Sequence, residues 1–192
     1  PGRPRRSSEE QFGGCGNLEI VNVMLWKSMV FDLRHFAGSG RSRDPPWETP
    51  GDPDETDSGP VAGSDLDLHF AHPNASGPDL DVNGIEDPWF DKDWDAFWYN
   101  KAPNWGSFDP SAGDDPSLDR DDTDGAGPEN LNMGIPEDDI LYHIGVHYWD
   151  SHGLGPATTT VRVWTYATLI YEGCAGKTEE ECCLAPADGG AV

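Results

Sequence analysis

Apolar and polar residues alternate most plainly at 64–70, where Leu66, Leu68 and Phe70 are interleaved with Asp65, Asp67 and His69. A period of two sets the first group on one face of a β-strand and the second, acidic group on the other. The same alternation returns at 140–149, with Tyr142, Ile144, Val146 and Tyr148 on one face and His143, Gly145, His147 and Trp149 on the other. Residues 158–165 are rich in β-branched side chains and read as a strand with Val161 and Val163 inward; a turn near 166–168 leads into Leu169-Ile170-Tyr171-Glu172. The aromatic run at 94–100 suits a strand, while the apolar run at 18–25 is too short for its period to separate strand from helix. Residues 71–92 and 101–139 read mostly as loop. No stretch carries a convincing amphipathic helix. Short strands joined by long polar loops predict an all-β chain, an antiparallel β-sandwich of Ig-like or jelly-roll-like type with long acidic loops. Loops of that length are functional or tied down by something.

Composition sharpens this picture. The chain has 192 residues, long enough for one good-sized domain, and only 35% of them are hydrophobic. Its 23 glycines and 17 prolines make turns abundant. With 36 acidic against 12 basic residues, the net charge is −24. That argues against nucleic acid, which needs Lys and Arg on phosphates, and against anionic membrane surfaces. Divalent cations are the natural counter-charge; a merely solvated acidic surface is the plainer alternative. The apolar run from Leu18 to Phe31 is short and broken by Asn22 and Lys27, so no membrane span is predicted. The chain starts at Pro1 without a recognisable signal peptide, and reads as a mature product or a fragment.

Charge is also unevenly spread. Residues 1–45 hold 7 of the 12 basic and 5 of the 36 acidic residues, leaving the remainder strongly negative. Prolines 45, 46, 50, 53 and 60 make a stiff junction. The expected organisation is a near-neutral N-terminal segment at 1–45, a remnant of a preceding domain; a Pro-rich linker at 46–63; the β-sandwich at 64–172; and a Cys-containing tail at 173–192. Cys15, Cys174, Cys182 and Cys183 match no common zinc spacing and suit disulfides in an oxidising compartment, with three pairings open. A bond between the neighbours Cys182 and Cys183 would be strained.

Two loops carry the candidate chemistry. In Asp79-Leu80-Asp81-Val82-Asn83-Gly84-Ile85-Glu86-Asp87, the residues Asp79, Asp81 and Asn83 supply oxygens at positions 1, 3 and 5 of a calcium loop. Gly84 permits the sharp turn, the Ile85 carbonyl is the position-7 ligand and Asp87 falls at position 9. Phe90 stands where an EF-hand has its Glu, so this is a calcium loop outside an EF-hand. An Asx-rich turn capped by its own side chains is the plainer reading. The second loop carries Asp119, Asp121, Asp122 and Asp124, and the turn at 125–128 swings Glu129 back toward the same ion. If extended, this stretch sets Asp119, Asp121 and Thr123 on one side and Asp122 and Asp124 on the other. Asp65 and Asp67 would meet this loop across the sheet and complete its coordination. Like charges at about 4 Å in an effective dielectric near 20 repel by roughly 4 kcal/mol, so such clusters need a cation or open water. His147 beside them would instead suit a transition metal.

Trp89, Trp94, Trp98, Trp105 and Trp149 lie close to the acidic loops. They fit either a sugar platform or a core that lacks aliphatics. No G-x-S-x-G, H-E-x-x-H or P-loop is present, and among so many Asp residues no carboxylate pair is singled out as catalytic. Asn74-Ala75-Ser76 fits a glycosylation sequon.

Three strings in order resemble YfaP-like domains of bacterial secreted and cell-surface proteins: Ser64 to Pro73, Asp114 to Asn130, and Tyr142 to Trp149. The resemblance covers about residues 46–172. It implies an extracytoplasmic β-sandwich with no established activity and no catalytic residues to carry over. The function expected is a secreted or cell-surface calcium-binding structural or binding module, with a glycan or a surface protein as partner. A carbohydrate-binding module using Trp and Asp is the alternative; a metal-dependent hydrolase would need an open coordination position and a base in a cleft.

Overall fold

The computed structural model describes residues 21–24, 29–33, 47–48, 51–54, 59, 62–80, 82–123, 128–154, 157–165, 168–174 and 183–184. Every regular element among them is a strand, and the strand pairings are antiparallel. In chain order they are β1 (Val21–Met24), β2 (Met29–Leu33), β3 (Trp47–Glu48), β4 (Asp65–Ala71), β5 (Asp95–Ala96), β6 (Pro116–Arg120), β7 (Asn130–Met133), β8 (Leu141–Asp150), β9 (Ala157–Thr165), β10 (Thr168–Cys174) and β11 (Cys183–Leu184). One sheet runs β1-β8-β4-β5 and the other β10-β9-β2-β7-β6, with β3 and β11 also paired to β9. Among the described residues, no helix is long and apolar enough to cross a membrane.

One buried apolar cluster draws on both sheets. Leu66, Leu68 and Phe70 of β4 and Tyr142, Ile144, Val146 and Tyr148 of β8 join Leu118, Leu131, Met133, Val161 and Val163 from β6, β7 and β9. The two alternating patterns thus project onto a shared core, each fully buried large side chain contributing roughly 1.5–3 kcal/mol. Aromatics supply what the few aliphatics do not: Trp105 stacks on Tyr142 at 6.1 Å and packs at a tilt on Phe70 at 5.5 Å, measured between ring centres.

The opposite face of β4 and β8 is also covered. Trp89 lies over Gly145, where a Cβ atom would come within 2.7 Å of the indole ring. Phe90 and Phe97 pack against His69, with ring centres at 4.7 and 5.0 Å. Asp65, Asp67 and His69 are therefore buried rather than lining an exposed strand face.

Several elements differ from expectation. The stretch 101–139 contains β6 and β7, which bury Leu118, Leu131 and Met133. The aromatic run 94–100 keeps only a two-residue strand and then turns, with a Phe97–Asn100 bridge. Strands β1 and β2 come from the near-neutral first segment, yet β1 pairs with β8, and β2 lies between β9 and β7. Between β2 and β4 the chain also supplies β3, which pairs with β9.

Candidate metal centre

β4 is paired along its whole length to β8, but β5 covers only Phe70 and Ala71 on its other edge. The uncovered edge is met by the loop between β6 and β7. Glu129, immediately before β7 and fully buried, accepts a hydrogen bond from the Leu68 amide at 2.6 Å and one from the Asp122 amide at 3.2 Å. The carboxylate thereby closes an open strand edge and ties the loop to it. Asp121, immediately after β6, reaches the same place from the other end of the loop.

Asp67, Asp121 and Glu129 offer carboxylate oxygens that all lie within 4.8 Å of one another. Two oxygens each 2.3–2.6 Å from one calcium ion are at most about 5 Å apart, so the spacing fits a single hard cation. Oδ2 of Asp67 and Oδ1 of Asp121 are buried without a hydrogen-bond partner, as is Oδ1 of Asp65 one pleat away. Orphaned buried oxygens, all carboxylate, are what a site for an oxygen-seeking dication leaves when the protein alone is considered. Lys101 Nζ lies 2.8 Å from Asp121 Oδ2 and is half-exposed. His147 Nδ1 stands 3.7 Å from Asp67 Oδ2 but falls outside the carboxylate group of three.

The electrostatics carry the same signature. Burial, then the neighbouring Asp67 and Asp121, push the Asp65 carboxyl up from 3.8 to about 7. Burial and the same two neighbours hold Glu129 well above the usual carboxylate range, although two backbone amides pull the other way. Carboxyls crowded without a counter-charge keep protons; a dication among them favours the ionised forms.

The sequence-derived candidates divide. Asp65, Asp67, Asp121 and Glu129 come together. Asp119 does not: the β6–β7 register shifts between Leu118 and Arg120, and the bulge turns Asp119 out to Asn132 Nδ2 at 2.6 Å. Simple alternation through 119–123 fails for that reason. Asp122 is buried but paired with Arg120. In the first loop, Asp79 accepts from the Asn83 and Gly84 amides at 3.1 and 2.8 Å, Asn83 from the Ile85 amide at 2.7 Å, and Asp87 from the Leu80 amide at 2.7 Å. The Asn83–Ile85 bond spans two residues, as in an Asx turn, the carboxylates of Asp79 and Asp87 cap amides of the same loop, and Ile85 is largely exposed. Asp81 and Asp124 lie outside the described residues. Lys101 was not legible as a partner of Asp121, 20 residues away.

A half-open cleft of about 140 Å³ lies over the cluster, lined by Asp65, Asp67, Trp98, Asp121, Thr123 and Trp149. The five tryptophans near the acidic loops thus serve two purposes: Trp89 and Trp105 are buried, Trp94 packs on the core, and Trp98 and Trp149 stay partly exposed at the cleft. Comparisons with protein-family models, curated proteins and solved structures find no match.

Proposed function

We propose that the chain is a secreted or cell-surface structural and binding module, a β-sandwich whose β6–β7 loop is clamped to β4 by a calcium ion. The observation that carries this reading is the convergence of Asp67, Asp121 and Glu129 with buried, unpartnered oxygens. The sandwich assignment is supported by two antiparallel sheets that share one core. The extracytoplasmic setting, like the resemblance to YfaP-like domains, stands on the three sequence strings. In this reading Asp67, Asp121 and Glu129 hold the ion, Glu129 also anchors the strand edge, and Lys101 shields Asp121 from solvent. An ion bound only by the folded state adds about 2.7 kcal/mol at a hundredfold excess over its dissociation constant. For a chain of this size that corresponds to a rise of roughly 5–10 °C in melting temperature. Calcium should produce that rise over chelator-treated protein, and elemental analysis should return about one ion per chain. Asp67→Asn should remove most of the rise while leaving the chelated protein at least as stable as wild type, because a buried repulsion disappears. Identical melting curves with calcium and with chelator would sink the proposal.

A further inference from the structure

The cleft above the carboxylates is a place for a ligand as well as an ion. Asp65 and Asp67 are 8% and 3% exposed, line this cleft, and each keeps an oxygen without a hydrogen-bond partner. The same cleft is also lined by two tryptophans. Trp98 and Trp149 are 38% and 48% exposed, with ring centres 5.7 Å apart and planes inclined at 56°. Trp149 owes its position to a bulge: Asp65 pairs with Asp150 and Leu66 with Tyr148, so Trp149 is the extra residue of β8. Bulges beside sites serve to re-aim a side chain. Trp98 and Trp149, unlike the buried Trp89 and Trp105, give the cleft an accessible aromatic surface.

Calcium takes six to eight oxygens, so three carboxylates leave positions for neutral oxygens. A ligand that offers paired hydroxyls on one edge and an apolar C–H face on the other matches both the carboxylates and the tryptophans. A cleft of about 140 Å³ is well below the roughly 300–1,000 Å³ of a site for a drug-sized molecule, and suits a single ring. We propose that this cleft binds one ring of a neutral sugar, its C–H face on Trp149 and Trp98 and adjacent hydroxyls directed to Asp65 and to the ion held by Asp67, Asp121 and Glu129. The proposal rests on the calcium reading and adds to it a ligand class and the residues that recognise it.

The full chain, calcium-loaded or chelator-treated, is titrated with the methyl glycosides of mannose, fucose, galactose and glucose, following tryptophan fluorescence and heat. At least one glycoside should give a saturable change with the calcium-loaded protein and bind about tenfold or more weakly after chelation. Trp149→Ala, and independently Trp98→Ala, should weaken sugar binding and keep the calcium-dependent melting shift. A calcium shift with no response to any of the four glycosides overturns the sugar site and leaves the calcium reading standing. Absence of the calcium shift overturns both. Sugar binding indifferent to chelator, or to both tryptophan variants, also overturns it. Tetramethylammonium binding that calcium suppresses, without sugar binding, would make the cleft a site for organic cations and overturn the proposal.

Discussion

Glu129 does two jobs with one side chain. Its oxygens take the amides of Leu68 and Asp122, and the same carboxylate sits among Asp67 and Asp121. Glu129→Ala should therefore leave two buried amides unanswered. At about 1–3 kcal/mol for each unsatisfied group, a loss of roughly 2–6 kcal/mol is expected by denaturant titration of chelated protein. If the side chain served only as a metal ligand, stability without calcium would hardly change. The sequence showed the components of this site: the density of acidic residues at 119–129, the return of Glu129 after Gly-Pro, and the acidic face of β4. It did not show which carboxylates would meet. Asp119 and Asp121 look equivalent by period, and only the bulge separates them. Lys101 carried no local signal at all, because its role comes from a distant segment laid along β6, where its carbonyl accepts from the Leu118 amide at 2.7 Å.

Between elements, Trp89 packs closely on β8 at Gly145. Gly145 has no side chain, and that absence is what lets the outer edge of the indole come this close to the strand. Gly145→Ala should push the ring outward and cost about 1–3 kcal/mol, the usual range for overpacking a filled site. A melting curve displaced downward without any change in the calcium increment would confirm that the cost belongs to packing. Strands whose alternation continues for seven or more residues, β4 and β8, were legible from their side chains alone. β6 and β7 were not. Their five and four residues carry Pro116, Asp119, Arg120, Asn130 and Asn132, so the apolar signal shrinks to Leu118, Leu131 and Met133. Pairing to a longer neighbour, rather than local propensity, makes such segments strands. Trp89 and Trp149 likewise differ in burial by context that no single-residue preference holds.

The whole molecule is dominated by its charge of −24. Below pH 3.8 the Asp65 carboxyl is protonated in both folded and unfolded chains; between 3.8 and about 7 the unfolded chain releases that proton while the folded one retains it. Protons then favour the fold, so this contribution is complete at low pH and disappears as pH rises through about 7. Glu129 acts in the same direction. Chelated protein should accordingly melt at falling temperatures as pH is raised from 5 to 8. The calcium increment should grow over that same interval, since the ion needs ionised carboxylates. Parallel curves with and without calcium across the titration would contradict this coupling. The position of β2 bears on how the protein can be handled. A recombinant product trimmed to begin at the proline-rich stretch would lack the strand that joins β9 to β7. Both would then present raw hydrogen-bonding edges, inviting chain-to-chain stacking and insoluble expression.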